Sequence, residues 1–226
     1  MGILLKSPTN NITGLDKDLN DVSDARPETE IIRPRVELRP GLPSDARFIA
    51  EAVLNAMGSG PDTDFTPFFN VAIDYQAVFD AMAAMAARED TLYSYRNVYV
   101  AVCGDSLAGA IVAYDGARYK ELADTTFGLL AEMLGVERPN PGEETGPDEY
   151  YLDSLYVDPE FRGHGVGSIL MQHELEVAQG LGFTAVSLLV DREKPWLHRL
   201  YSRLGFVDDG ETLFFGELYL RMVQFI

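Results

Sequence analysis

The stretch from Leu155 to Ser168, LYVDPEFRGHGVGS, constrains the fold more than any other part of the chain. A strand-like run over residues 150–157 enters a turn holding Gly163, Gly165 and Gly167. The turn opens a helix expected from about Gly165 to Gly180. Glycines there remove the β-carbons that would keep an anion away from the backbone. The first N–H groups of a helix have no intrahelical acceptor, and the aligned peptide dipoles add partial positive charge. Arg162 adds a full one. Such a nest suits a pyrophosphate. A glycine turn alone also fits a tight strand–helix connection. A dinucleotide fingerprint has similar spacing, but this turn follows a late strand, with an arginine in front and no opening βαβ unit around it.

The rest of the chain reads as one domain with an extension. It has 226 residues, 46% hydrophobic and 24% charged, enough to bury a sizeable core. Residues 1–34 are polar and broken by Pro8, Pro27 and Pro34, and read as an N-terminal extension to a domain over 35–226. Val36–Leu38 alternates as a strand, and Ser44-Asp45 caps a helix with Phe48, Ile49, Ala52, Val53 and Ala56 on one stripe. Phe65, Phe68 and Phe69 mark a packed aromatic loop before a second helix over about 75–87. Val98–Cys103 and Leu107–Tyr114 form a hairpin around Gly104-Asp105-Ser106. Residues 117–148 interrupt the strand pattern, helical over 119–134 and loop-like over 137–148. This insertion reads in two ways, as a lid or substrate wall and as a homodimer contact. A strand at 185–190, a helix at 195–204 and closing strands near 206–207 and 217–224 complete the chain. The predicted class is α/β (α+β), a mixed central sheet of six or seven strands flanked by helices, with the insertion preceding the strand that feeds the glycine turn.

Charge narrows the partners. Lys and Arg number 18 against 36 Asp and Glu, a net −18, which repels phosphate backbones and argues against nucleic acid as a partner. No apolar run reaches the roughly 18–20 residues of a membrane span. The single cysteine, Cys103, excludes an internal disulfide framework and fits a reducing cytoplasm. His164, His173 and His198 have no metal-ligand spacing, so no metal site is expected. His173 falls on the apolar helix stripe of Val166, Leu170, Val177 and Leu181 and is expected as a satisfied core histidine; Trp196 is expected to pack the start of the last helix. The acid is unevenly spread. Residues 140–161 hold seven carboxylates and no base, whereas 162–203 carry five basic and four acidic residues.

Arg162-Gly-His-Gly165-Val-Gly167 resembles the Arg/Gln-x-x-Gly-x-Gly/Ala signature of the GNAT N-acetyltransferase superfamily. Leu200-Tyr201-Ser-Arg-Leu-Gly205-Phe206 resembles that family's Leu-Tyr-x-x-x-Gly-Phe element, and Glu37–Pro40 with Ser44-Asp45-Ala46 its usual opening. The likeness runs over roughly residues 35–226 and is densest from Tyr150 to Phe206. It implies acetyl-coenzyme A held in a splay between the strands ending near Val157 and Val190. The backbones of Leu155 and Val157 would meet the pantetheine arm. The N–H groups from Arg162 through Gly163, His164, Gly165, Val166 and Gly167 to Ser168 would take the pyrophosphate. Tyr201 would stand near the thioester sulfur as general acid. Where the family commonly has an asparagine, seven positions before that tyrosine, this chain has Lys194, which can approach a phosphate.

The implied reaction needs a neutral amine, and an alkyl ammonium titrates near ~10.4, so a base must take its proton. Glu149 and Asp153 are the candidates, placed by strand alternation on one side with Tyr151 between them. The N–H of Tyr156 or Val157 is the expected oxyanion donor. The acid run favours a small cationic amine as acceptor, with a peptide amine as the other class. The competing reading is an acyl-coenzyme A sensor or interaction module without turnover.

Overall fold

The computed structural model describes residues 35–226, and the extension expected over 1–34 lies outside the described residues. The elements run β1 Val36–Pro40, α1 Ala46–Ala56, α2 Thr66–Phe69, α3 Tyr75–Ala86, β2 Val98–Cys103, β3 Ser106–Asp115, α4 Tyr119–Leu134, β4 Tyr150–Val157, α5 Val166–Leu181, β5 Ala185–Asp191, α6 Pro195–Arg203, β6 Val207–Phe214 and β7 Glu217–Phe225. Seven strands form one sheet in the order β1-β2-β3-β4-β5-β7-β6. Every neighbouring pair is antiparallel except β4 and β5.

Two cores cover the two faces. On one, α1, α3 and α4 pack over Val100, Ala110, Val112, Tyr114, Tyr151 and Tyr156. On the other, Val166, Leu170, Met171, Leu175 and Ala178 of α5 pack over Ala101, Ile111, Ala113, Leu152, Val186 and Leu188. The Gly109 position explains how close α5 lies: a β-carbon there would come within 3.3 Å of Val166 and Leu170 side chains.

Several local expectations change. The α5 stripe rotates: Leu181 is exposed, and the His173 ring lies 4.1 Å from the Tyr99 ring at a 60° tilt, with its Nε2 buried and unpartnered, so it is not satisfied. Trp196 is 56% exposed, because α6 packs on its core through Leu197 and Tyr201, followed by Leu204 at its end, instead. Asp45 does not cap α1. Its carboxylate accepts from Arg39 at 2.6 and 2.9 Å and from the Leu42 N–H, which holds it below the usual carboxylate range against the opposing effect of its burial. The closing hairpin is longer than predicted, because Asp208-Asp209-Gly210 reads as loop but forms a bulge within β6.

Candidate active site

Strands β4 and β5 pair only at Tyr150–Val186 and Tyr151–Ser187. Beyond these pairs β4 stays with β3 as far as Val157, and β5 stays with β7 as far as Asp191. The sheet therefore parts into two halves joined at two residue pairs. A bulge in β4 marks the same region. Leu152 pairs with Ala113 and Ser154 with Val112, so Asp153 is passed over. The extra residue bends a strand and re-aims its side chains. It explains why Tyr151 and Tyr156, five apart, share one core while Leu152 and Leu155 share the other.

The glycine turn follows directly. Asp158 caps a short 3₁₀ turn through Pro159–Phe161. Gly163 and Gly165 have φ of 79° and 83°, left-handed values that penalise any residue with a β-carbon, and Gly165 is the N-cap of α5. No side chain caps this helix end. The first intrahelical bond runs from Ile169 N to Gly165 O, so the amides of Val166, Gly167 and Ser168 have no acceptor within the helix. A cavity of about 180 Å³ opens there, lined by Leu155, Val157, Arg162, Gly163, Gly165, Val166, Gly167 and Ser168, together with Leu200 of α6 and Leu204 just after it. These residues fit an anionic group on the amides and an apolar arm beside the strand. Arg162 Nε donates to Val157 O at 3.0 Å, which ties the turn to the strand end.

Not every expected residue joins that cavity. The Tyr156 side chain packs on the opposite face, 6.1 Å edge-on from Phe48. His164 hydrogen-bonds back to Arg162 O through Nδ1 at 3.0 Å. Lys194 stands just before α6 with Nζ 3.3 Å from Asp191. Tyr201 is half-buried in the α5-side core, edge-on to Phe206 at 6.1 Å, and burial alone pushes its phenol up to about 12.

The two candidate carboxylates have different surroundings. Glu149 is tied on all sides, accepting from Gly146 N at 2.5 Å, Thr145 Oγ1 at 2.8 Å and Arg221 Nη2 at 2.5 Å. Burial works against its charge, but these donors prevail and hold it below the usual range. Asp153 accepts from Tyr114 at 2.8 Å and from Ser154 Oγ at 2.7 Å, and burial pushes it up. A third carboxylate escaped the sequence reading. Glu144, from the loop after α4, is 7% exposed and accepts the Tyr151 hydroxyl at 2.7 Å. Burial first and the charge of Asp153 second raise it well above the ordinary range. Nothing in the loop's sequence marks Glu144 apart from Glu143, because the tyrosine that selects it arrives from β4.

The β6–β7 turn carries an aromatic cluster. Phe215 at the β6–β7 turn has φ 49°, unusual for a bulky residue, and its N–H donates to Pro141 O at 2.8 Å. Its ring meets Phe68 at 5.4 Å and Phe127 at 5.8 Å. Together with Phe65, Phe69 and Tyr93 these rings surround a cavity of about 40 Å³. The aromatic loop of the sequence is thus buried at Phe65 and Phe69. Among the described residues no cluster has metal-ligand character, and no helix is long and apolar enough to cross a membrane.

Known proteins share this architecture. An N-acetyltransferase from Staphylococcus aureus superimposes with a TM-score of 0.72 at 22% identity, over 83% of this chain and 99% of that one, a likeness of fold. A thialysine N-ε-acetyltransferase from Bos taurus is 32% identical over 101 residues, 37% of this chain and 57% of the relative. A peptidyl-lysine N-acetyltransferase from Salmonella typhimurium is 31% identical over 62 residues, 27% of this chain and 39% of the relative. The chain therefore spans between about two fifths and three fifths of these curated relatives. The sequence model of the acetyltransferase (GNAT) family matches residues 73–206, more than half of the chain, and the protein belongs to that family.

Proposed function

We propose that the protein is an N-acetyltransferase that moves the acetyl group of acetyl-coenzyme A to a primary amine by direct attack. The observation that carries this reading is the uncapped start of α5, with the free amides of Val166, Gly167 and Ser168, set beside the parting of β4 and β5. Acetyl-coenzyme A, when bound, supplies an activated acyl group. The chain's residues supply the rest. The amides and Arg162 hold the pyrophosphate, the apolar side chains of Leu155 and Val157 line the arm, and Lys194 adds charge nearby. Its attachment to Asp191 limits that contribution.

Tyr201 acts as the proton donor to the departing sulfur. Its phenol, at about 12, keeps its proton across the physiological range. A thiol titrates near ~8.5, so complete transfer from such a phenol is uphill. Tyr201 therefore works by hydrogen-bonding the charge that builds on sulfur, and solvent completes the protonation. Asp153, at the bulge, takes the acceptor's proton. Its raised affinity for protons matches it better to an ammonium than a solvated carboxylate would be. Glu149 has its oxygens committed to the 145–149 loop and Arg221, and serves to position that loop.

The acceptor is an alkyl amine carrying positive charge before it reacts, drawn by the carboxylates at 140–161. The two relatives' names, lysine in a peptide and thialysine, describe amines of this kind. The test is release of free thiol from acetyl-coenzyme A with spermidine, thialysine and a lysine peptide as acceptors. Turnover that falls about a hundredfold in Tyr201→Phe, with acetyl-coenzyme A binding intact, supports the reading. Tight binding with no turnover in either form makes the chain an acyl-coenzyme A sensor.

A further inference from the structure

We infer that Trp196, Arg199 and Arg203 of α6 form a seat for the adenosine 3′-phosphate end of coenzyme A, with Trp196 stacked on the purine and the two guanidiniums on the phosphomonoester. The inference rests on the proposed use of acyl-coenzyme A; the seat itself is read from α6 and the cavity beside it.

The cavity at the glycine turn is too small for the whole cofactor. Its volume is about 180 Å³, below the roughly 300–1,000 Å³ of pockets that enclose a drug-sized molecule. With the pyrophosphate on the α5 amides and the arm along Leu155 and Val157, the adenosine has to lie outside, over the rim. α6 supplies part of that rim through Leu200, with Leu204 just after the helix. Helical spacing then fixes what adjoins it. Residues three and four apart are neighbours on a helix surface, so Trp196 and Arg203 flank Leu200, and Arg199 adjoins both. The other side of α6 is engaged elsewhere: Leu197 and Tyr201 pack on the α5-side core, and His198 meets Asp208 at 2.7 Å. Trp196 is 56% exposed, and Arg199 and Arg203 are exposed beside it. An indole left open to water beside a phosphate site is a stacking platform for a base.

The charge pattern is selective. In a chain of net −18, most arginines stand against a carboxylate, among them Arg192, between β5 and α6, with Glu211 at 3.2 Å. Among the described residues, Arg118, Arg162, Arg199 and Arg203 have no carboxylate partner. Arg162 lines the cavity, and the two on α6 adjoin its rim. The helix dipole accounts for a basic residue in the last turn, which Arg203 is, but not for Arg199 before it. Two like charges four apart on a helix repel. A phosphomonoester carries nearly two negative charges and accepts from guanidinium forks, so it removes that conflict.

Trp196 is the chain's one tryptophan, so its emission reports on the seat without turnover. Titration with acetyl-coenzyme A should quench it, whereas acetyl-phosphopantetheine, which lacks adenosine, should bind without quenching. Calorimetry should find acetyl-3′-dephospho-coenzyme A bound about fivefold more weakly than acetyl-coenzyme A. That gap should shrink in high salt and close in the double variant Arg199→Gln, Arg203→Gln. Trp196→Ala should weaken acetyl-coenzyme A about fivefold and leave acetyl-phosphopantetheine unchanged, which a merely structural role for the indole would not do. The comparison of ligands on the unaltered protein stands whether or not the variants fold. Emission that ignores saturating acetyl-coenzyme A would overturn the stacking, and equal affinity for the two coenzymes would overturn the phosphate contact. If acetyl-coenzyme A does not bind at all, the acyl-coenzyme A reading fails and the seat with it; binding that ignores the adenosine overturns the seat alone.

Discussion

Tyr150 and Tyr151 are neighbours on β4, and each donates a hydrogen bond to a buried glutamate on opposite faces of the sheet. Tyr150 reaches Glu174 of α5 at 2.8 Å, and Tyr151 reaches Glu144 of the insertion at 2.7 Å. The bonds are alike, and their settings are not. Glu174 is alone in an apolar core, where burial raises it to about 7 against the help of Tyr150. Glu144 is raised well above the ordinary range by burial first and by the charge of Asp153 second. The same phenol–carboxyl contact thus makes a group that titrates near about 7 under α5 and one raised by burial and a further negative charge beneath the insertion. What surrounds the contact, more than the contact itself, sets its role.

The largest expected effect tests the lone member. Below about pH 4.5 Glu174 is protonated whether the chain is folded or not. Between there and about 7 only the folded chain keeps the proton, so stability falls as pH rises. Above 7 the full penalty of burying the charge is present, about 3 kcal/mol at ~1.36 kcal/mol per pH unit. Glu174→Gln should remove this dependence. Denaturant titrations should find the variant gaining about 2.5 kcal/mol on wild type between pH 5 and pH 8, because part of the penalty is already present at pH 5. A constant difference between the two proteins would show that Glu174 is not buried as a lone acid.

Removing the phenols one at a time sharpens the contrast. Tyr150→Phe and Tyr151→Phe each take a donor from a buried acceptor, a loss of about 1–3 kcal/mol. The Tyr150 variant should lose more stability at pH 8 than at pH 5, because the charged acceptor needs its donor more, and its turnover should be unchanged. The Tyr151 variant should also change the pH profile of turnover. Identical profiles in the two would erase the distinction between the faces.

The two faces also differed in how readable they were. Left-handed turns at Gly163 and Gly165 and an uncapped helix start are backbone features, and backbone demands appear locally as glycine. The strands fed by Tyr150 and Ala185, the hairpin after Val98 and helix α4 over Tyr119–Leu134 were legible for the same reason: short-range periodicity decides them. The bulge at Asp153 was not, because residues 150–157 read as a regular strand and the extra residue shows only in the register against β3. Glu144 was invisible for a different reason. Its significance comes from Tyr151, seven positions away, whose hydroxyl only the folded loop brings to it. Long-range side-chain constellations leave no periodic trace.

On the cofactor side, backbone conformation should matter most. Gly165→Ala forces a β-carbon into φ 83°, which costs about 1–2 kcal/mol although nothing obstructs the space. If the turn relaxes to avoid that strain, the amides of α5 lose their aim. Acetyl-coenzyme A affinity should then fall roughly tenfold, with the fold retained by circular dichroism. An unaltered dissociation constant would mean that the turn is a connection only.

Lys194→Met should have the smallest effect, and that follows from the same division of labour. The lysine's charge is already shared with Asp191 at 3.3 Å, and its side chain is about 31% exposed, so solvent and salt screen what it offers a phosphate. An interaction of that kind is worth about 0.2–1 kcal/mol, which raises the acetyl-coenzyme A dissociation constant by no more than about fivefold. The change should shrink further in high salt, whereas the Gly165→Ala effect, being conformational, should persist. If Lys194→Met weakened binding more than Gly165→Ala did, the glycine-turn side would be held chiefly by side-chain charge, and the contrast with the Tyr151-bound carboxyl on the other face would fail.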